Sequence, residues 1–245
     1  MSQRVTDFSE KVVLVTGAGG GMGRALSEAF AAQGAIVAAN DINPLGLDET
    51  VRLITAGGGI VKDYVFDVAR RMPVQAMVNQ VLEDWGRIDI LINCAAVEPV
   101  VSVSDMDEWD WHRTIDVNLG GSFFNLQQVS RAMHKQGGGV IINLAGRIGP
   151  HPFPKVNRAA YLASQMGLVG LTLEAANELA IDHIRVHVVC QGLPFTDGSP
   201  AHPALTAELS KKDPGPIERI IRLVLYLCSP VSADLTGLVV NLESK

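Results

Sequence analysis

The sequence predicts a single α/β domain built on a doubly wound parallel sheet with helices on both faces. Short, nearly continuous apolar runs rich in β-branched residues alternate with amphipathic stretches along the whole chain. Runs of that kind are strands covered on both faces and joined by helical crossovers. The 245 residues, 47% hydrophobic and 19% charged, suffice for one sizeable core. No internal repeat, low-complexity tract or linker divides them.

The elements follow in order. Lys11–Thr16 reads as a strand and Gly21–Gln33 as a helix that ends before Gly34. Ala35–Asn40 is a strand, Leu45–Thr55 a helix and Ile60–Phe66 a strand. Pro73–Trp85 is a helix with its proline near the first turn, where the missing N–H costs nothing. Ile88–Asn93 is a buried strand, and Glu108–Gln136 is long enough for one helix, continuous or bent. Val140–Leu144, Ile184–Cys190 and Gly237–Asn241 complete the strands; Ala159–Ile181 and Ile217–Cys228 complete the helices. The proline- and glycine-rich stretch Gln191–Pro216 has only weak periodicity, and at about 25 residues it reads as a lid or substrate loop.

Composition narrows the function. A formal charge of −6 leaves no basic face for a nucleic-acid backbone. No apolar run approaches the ~18 residues of a membrane span, and Met1–Asp7 lacks the apolar core of a signal peptide. The three cysteines, Cys94, Cys190 and Cys228, form no CxxC pair and lie among apolar residues. They read as buried structural thiols in a reducing, cytoplasmic compartment. His183 and His187 are four apart but straddle a strand without an acidic helical partner, so no metal is expected.

The clearest chemical signal is Thr16-Gly17-Ala18-Gly19-Gly20-Gly21-Met22-Gly23, with Thr16, Gly17, Gly21 and Gly23 spaced Thr-Gly-x-x-x-Gly-x-Gly between the first strand and helix. Such a turn lets backbone N–H groups approach a pyrophosphate at a helix N-terminus. Asp41 ends the second strand. A carboxylate there accepts hydrogen bonds from adenosine ribose hydroxyls and repels a 2′-phosphate. With no Lys or Arg in Asn40-Asp41-Ile42-Asn43, NAD(H) is favoured over NADP(H).

With Asp67-Val68, Asn93-Cys94-Ala95-Ala96, Asn118 and Tyr161, these motifs make the chain resemble the short-chain dehydrogenase/reductase family, from Lys11 to about Asn241. The resemblance implies a Rossmann fold and an NAD-dependent oxidoreductase. It places Asp67 and Val68 beside the adenine, Asn93 and Ala95 along the cofactor, and Thr196 at the nicotinamide end. It also implies a homodimer or homotetramer, built through the helix at Glu108–Gln136 and the helix carrying Tyr161. Small residues there, among them Ala159, Ala160, Ala163, Gly167, Gly170, Ala175 and Ala176, suit close helix contact.

Family members use an asparagine, a serine, a tyrosine and a lysine four residues after the tyrosine. Asn118 and Tyr161 match the first and third. In Asn143-Leu144-Ala145-Gly146-Arg147-Ile148-Gly149, however, Gly146 stands at the serine position, and Gln165 stands at the lysine position. A free tyrosine titrates near 10, so only about one in a thousand is ionised at neutral pH. A lysine charge about 5 Å away, at an effective dielectric near 20, would favour the phenolate by roughly 3 kcal/mol, or about two pKa units. Gln165 supplies no such charge, though it can hydrogen-bond a ribose. Together with the absent serine donor, the loss amounts to about 10⁴ or more in hydride-transfer rate unless something substitutes. His151, in the loop after the fifth strand, is a candidate acid or base; Arg158 and Arg147 are candidate cations.

Three functions fit this pattern. One is an NAD-dependent oxidoreductase acting on a small alcohol or carbonyl with an altered site. The second is a non-redox dehydratase, isomerase or cyclase that uses Tyr161. The third is an inert NAD-binding subunit or sensor.

Overall fold

The computed structural model describes residues 7–146, 157–191 and 216–242. Arg147, His151, Thr196 and the interior of Gln191–Pro216, expected as a lid, lie outside the described residues. The rest forms one parallel seven-stranded sheet in the order β3-β2-β1-β4-β5-β6-β7. The strands are β1 (Val12–Thr16), β2 (Ile36–Asp41), β3 (Ile60–Val65), β4 (Ile90–Asn93), β5 (Gly139–Ala145), β6 (Ile184–Gln191) and β7 (Val239–Leu242). Helices α1 (Gly21–Ala32), α2 (Pro44–Ala56), α3 (Arg71–Trp85), α4 (Glu108–Ile115), α5 (Ser122–Gln136), α6 (Ala159–Leu179) and α7 (Pro216–Cys228) cover its faces. The predicted fold class is correct, and most element ends agree within one or two residues.

Register shows why the strands read as continuous apolar runs. All five residues of β1 are buried. Val13 and Val15 face a cluster with Leu26 and Phe30 of α1 and Leu223, Val224 and Leu227 of α7. Val12 and Leu14 face the opposite cluster, with Met77 and Val81 of α3 and Val129 and Met133 of α5. A strand between two helical layers has no solvent side, so the polar–apolar alternation disappears. Truncating a residue such as Leu14 to alanine there costs about 2–5 kcal/mol.

Local signals set the helix starts. Asn43 caps α2 by accepting from the Leu45 and Gly46 N–H groups at 3.1 and 3.5 Å, with Pro44 in the first turn. Asp107 caps α4 through the Asp110 N–H at 2.7 Å.

Two elements depart from the sequence reading. The Glu108–Gln136 helix runs its full length but widens into a π-helical segment at Asp116–Gly121, between α4 and α5. Such segments often mark functional sites, and this one contains Asn118. The helix expected to reach Ile181 tightens after Leu179 into a 3₁₀ turn, Ala180–Asp182.

The chain runs outward from β1 to β3, then returns across the sheet to β4. This reversal splays the connections apart at the carboxyl ends of β1 and β4, opening a crevice. No described helix is long and apolar enough to cross a membrane. Among the described residues, no group of three or more His, Cys, Asp or Glu side chains is placed to hold a metal.

Candidate functional site

A cleft of about 440 Å³ lies at that crevice. Gly17, Met22, Gly23, Asp41, Asp67, Val68, Ala95 and Tyr161 line it, which brings together residues singled out from five separate stretches of sequence. Gly146, Cys94 and Arg113 line it as well. Thr16, Gly21, Asn93, Asn118 and Gln165 do not contribute to the lining.

The glycine turn is built for close approach. Gly17 has φ +69°, and a Cβ there would lie 2.8 Å from the Ala95 Cα, so a side chain would wedge β1 away from the chain leaving β4. A Cβ on Gly23 would lie 2.1 Å from the Gly17 carbonyl oxygen. Gly21 has φ +50° with nothing within 4 Å of the place a Cβ would take, so its backbone faces open space. Thr16 works from behind, its hydroxyl accepting from the Cys94 and Ala95 N–H groups at 3.0 and 3.2 Å.

Helix α1 has Gly20 at its N-cap, with no side-chain cap and no acidic residue in its first turn. Its leading N–H groups and the positive end of its dipole therefore face the cleft without a protein side chain to satisfy them. Those features fit a pyrophosphate group. Asp41 is held at the rim, accepting from the Gly19 and Asn43 N–H groups, each at 2.9 Å. Asp67 accepts from the Ala69 N–H at 3.0 Å and pairs with Arg113 Nη1 at 3.2 Å.

Beyond the turn, the four positions of the expected catalytic set form a connected arrangement. Asn118 is buried and saturated: its amide donates to the Val97 carbonyl at 2.9 Å and to Ser164 Oγ at 3.0 Å, and it accepts from the Val97 N–H at 2.8 Å. It braces the chain after β4 against α6. Gln165 is buried too. Its Oε1 accepts from the Gly146 N–H at 2.7 Å, and its Nε2 donates to Ser164 Oγ at 3.3 Å. The side chain faces the end of β5 and not the cleft. A glutamine suits that place because it has an acceptor, which a lysine lacks.

Tyr161 explains the glycine. A Cβ built on Gly146 would lie 1.4 Å from the Tyr161 hydroxyl oxygen and 2.5 Å from Cζ. The phenol occupies the volume that a serine side chain would need. Arg158 stacks on its ring, with the guanidinium carbon 4.6 Å from the centroid, and forms an ion pair with Glu98. Arg158 is only 7% exposed, whereas an arginine at a helix start is ordinarily solvated. Burial pushes the Tyr161 phenol up to about 12; the Glu98 carboxylate adds to the rise and the Arg158 charge opposes it. At neutral pH the phenol is protonated.

Cys94 also departs from expectation. It is half-buried on the cleft wall, packed against the edge of the core. Burial, assisted by the Asp41 charge, raises its thiol to about 12, so it remains protonated. Cys190 and Cys228 are buried as expected.

Sequence reading missed Arg113 and Glu98. Arg113 lies one turn before Asn118 on a helix whose register toward Asp67 is set by packing. Glu98 belongs to an irregular segment with no periodicity to read.

The comparisons agree with this geometry. The model of the short chain dehydrogenase family matches residues 11–202. A 3-oxoacyl-(acyl-carrier-protein) reductase of Thermotoga maritima is 36% identical over 239 residues, covering 95% of this chain and 96% of its own. A (3R)-3-hydroxyacyl-CoA dehydrogenase of Mus musculus is 33% identical over 240 residues, 92% of each chain. The crystal structure of a short-chain type dehydrogenase/reductase from Mycobacterium marinum superimposes with a TM-score of 0.84 at 31% identity, over 97% of this chain and 95% of that one. With a parallel sheet in this strand order, a glycine turn at its switch point and a family match across more than half its length, the chain belongs to the short-chain dehydrogenase family of oxidoreductases.

Proposed function

We propose that the protein is an NAD(H)-binding oxidoreductase acting on a small alcohol or carbonyl substrate through an altered catalytic site. One observation carries the reading: a single cleft joins the uncapped start of α1, the Asp41 carboxylate and the Tyr161 side chain. The α1 amides suit a diphosphate, and Asp41 suits ribose hydroxyls while repelling a 2′-phosphate, which favours NAD(H) over NADP(H). When bound, a nicotinamide would supply or accept the hydride. Tyr161, protonated at neutral pH, then serves as hydrogen-bond and proton donor toward the substrate oxygen. The relatives named above interconvert carbonyl and alcohol groups by their names, and this supports the substrate class.

Titration calorimetry with NADH and NADPH, followed by NADH oxidation at 340 nm against a panel of ketones and aldehydes, tests the proposal. NADH binding at least tenfold tighter than NADPH, with slow substrate-dependent oxidation, is the expected result. Binding of neither cofactor overturns it. The raised Tyr161 phenol, together with a Gln165 turned toward Gly146, favours a second reading as an inert NAD-binding subunit. That reading predicts cofactor binding without turnover.

A homodimer or homotetramer forms part of the proposal. Ala163, Met166, Gly170 and Leu173 form an exposed stripe on α6, and Trp109, Trp111 and Phe123 are exposed on α4 and α5. Ala160, Ala175 and Ala176 are buried within the chain itself and so belong to no such contact. Met166→Glu with Leu173→Glu shifts the mass measured by light scattering toward the monomer; an unchanged mass removes α6 from the interface.

A further inference from the structure

A family site with its lysine replaced has lost the cation beside the tyrosine. In this chain another cation stands beside that ring, on the opposite side in sequence: three residues before Tyr161, where the lysine position lies four after. Arg158 is held from two directions. Its backbone joins a short bridge to Val101, with the Val101 N–H donating to the Asn157 carbonyl at 3.1 Å. Its guanidinium pairs with Glu98, from the same segment after β4. That segment is braced in turn by the three Asn118 hydrogen bonds to Val97 and Ser164. The result is a buried guanidinium 4.6 Å from the centroid of a ring whose hydroxyl occupies the place a Cβ at Gly146 would take.

We propose that Arg158, anchored by Glu98, is the positioning residue for Tyr161: it seats the hydroxyl over Gly146 and serves as the cation beside the phenol that position 165 no longer supplies. A cation over an aromatic face is attracted by the ring, and a guanidinium suits this better than an ammonium because it can stack and ion-pair at once. Gly146 is the complement of the arrangement, since any side chain there would evict the hydroxyl. Gln165 secures the same glycine from behind through its N–H. Gly146, Arg158 and Gln165 are therefore parts of one arrangement around the Tyr161 hydroxyl.

Among the described residues, the charged and titratable groups acting on the phenol are Glu98 and Cys94 from the segment after β4 and Arg158 from the start of α6. The Glu98 charge raises the phenol and the Arg158 charge lowers it. Glu98→Gln keeps a side chain of the same size beside Arg158 but removes the opposing charge, so it lowers the Tyr161 titration. Arg158→Met raises it, and Arg158→Lys brings it back part of the way.

The proposal rests on Tyr161 being the proton-transferring group, yet its test needs no turnover. The ionisation of Tyr161 in the full-length protein is read as phenolate absorbance at 295 nm, within milliseconds of an alkaline pH jump and before unfolding. The Tyr161→Phe protein is subtracted to isolate this residue from Tyr64 and Tyr226. Glu98→Gln is expected to give about threefold more Tyr161 phenolate at pH 11 than the unaltered chain, burial still holding the phenol up, and Arg158→Met at least about threefold less. Unmoved titrations in both variants, with native circular dichroism, overturn the proposal. If Arg158→Met fails to fold, Glu98→Gln decides alone. Shifted titrations without any NADH-linked turnover uphold the positioning role and sink only the redox reading.

Discussion

Rebuilding the usual catalytic pair tests what limits this site. Gln165→Lys places a charge about 5 Å from the phenol, worth roughly 3 kcal/mol at an effective dielectric near 20, or about two pKa units. Tyr161, now held near 12, then titrates near the ordinary tyrosine value. Gly146→Ser adds a donor for the substrate oxygen, worth about 10²–10³ in rate. The structure attaches a cost to each change, and the double variant carries both. A Cβ at position 146 falls 1.4 Å from the Tyr161 hydroxyl, so the ring must withdraw; overpacking of this kind costs about 1–3 kcal/mol. Lysine at 165 offers no acceptor for the Gly146 N–H, which costs about 1–3 kcal/mol if the group stays buried. The single variants should therefore lose melting temperature and gain little activity. In the double variant, ketone reduction followed at 340 nm under saturating NADH is expected to rise at least about a hundredfold. A folded double variant that binds NADH and shows no gain would falsify the view that the two missing groups limit the chemistry.

Other outcomes follow from single contacts. Asp41→Asn removes the charge at the rim, so calorimetry should show NADPH affinity rising at least tenfold relative to NADH; an unchanged ratio would move ribose recognition elsewhere. Gly17→Ala meets both a φ of +69° and the Ala95 backbone at 2.8 Å; a stability loss of more than about 1 kcal/mol in urea titration is expected, with weakened NADH binding. Asn118→Ala removes the side-chain partner of the Val97 N–H and carbonyl and one of the donors to Ser164, and should cost about 1–3 kcal/mol. Asp89 supplies a pH dependence. Burial alone would raise its carboxyl, but the Arg87 pair, the Val12 N–H and Lys11 outweigh burial and hold it below the usual range. A depressed carboxyl stabilises the fold above its unfolded pKa of ~3.9. That contribution is lost as the pH falls through the lower folded value. Asp89→Asn should lower the melting temperature at pH 7 and flatten its decline below pH 4, as read by circular dichroism.

The sequence by itself determined the architecture and the glycine-turn end of the cleft. Strands buried on both faces must be apolar throughout, and a turn that passes Gly17 against Ala95 and Gly23 against the Gly17 carbonyl admits no side chain. Such constraints act on short stretches of chain, so they leave a local trace. The identities at 146 and 165 were equally legible, but only as two losses.

Tertiary structure alone decided what those identities mean. Residues 146 and 161 meet because β5 and α6 converge at the crevice, and at that distance the glycine is the space into which the phenol fits. Gln165 could reach a ligand or the backbone with the same side chain; helix register turned it to the Gly146 N–H. Arg158 at a helix start reads as a surface residue, yet the segment after β4 folds over it and supplies Glu98. Contacts between distant parts of the chain depend on how whole elements pack, and no spacing along the chain records them.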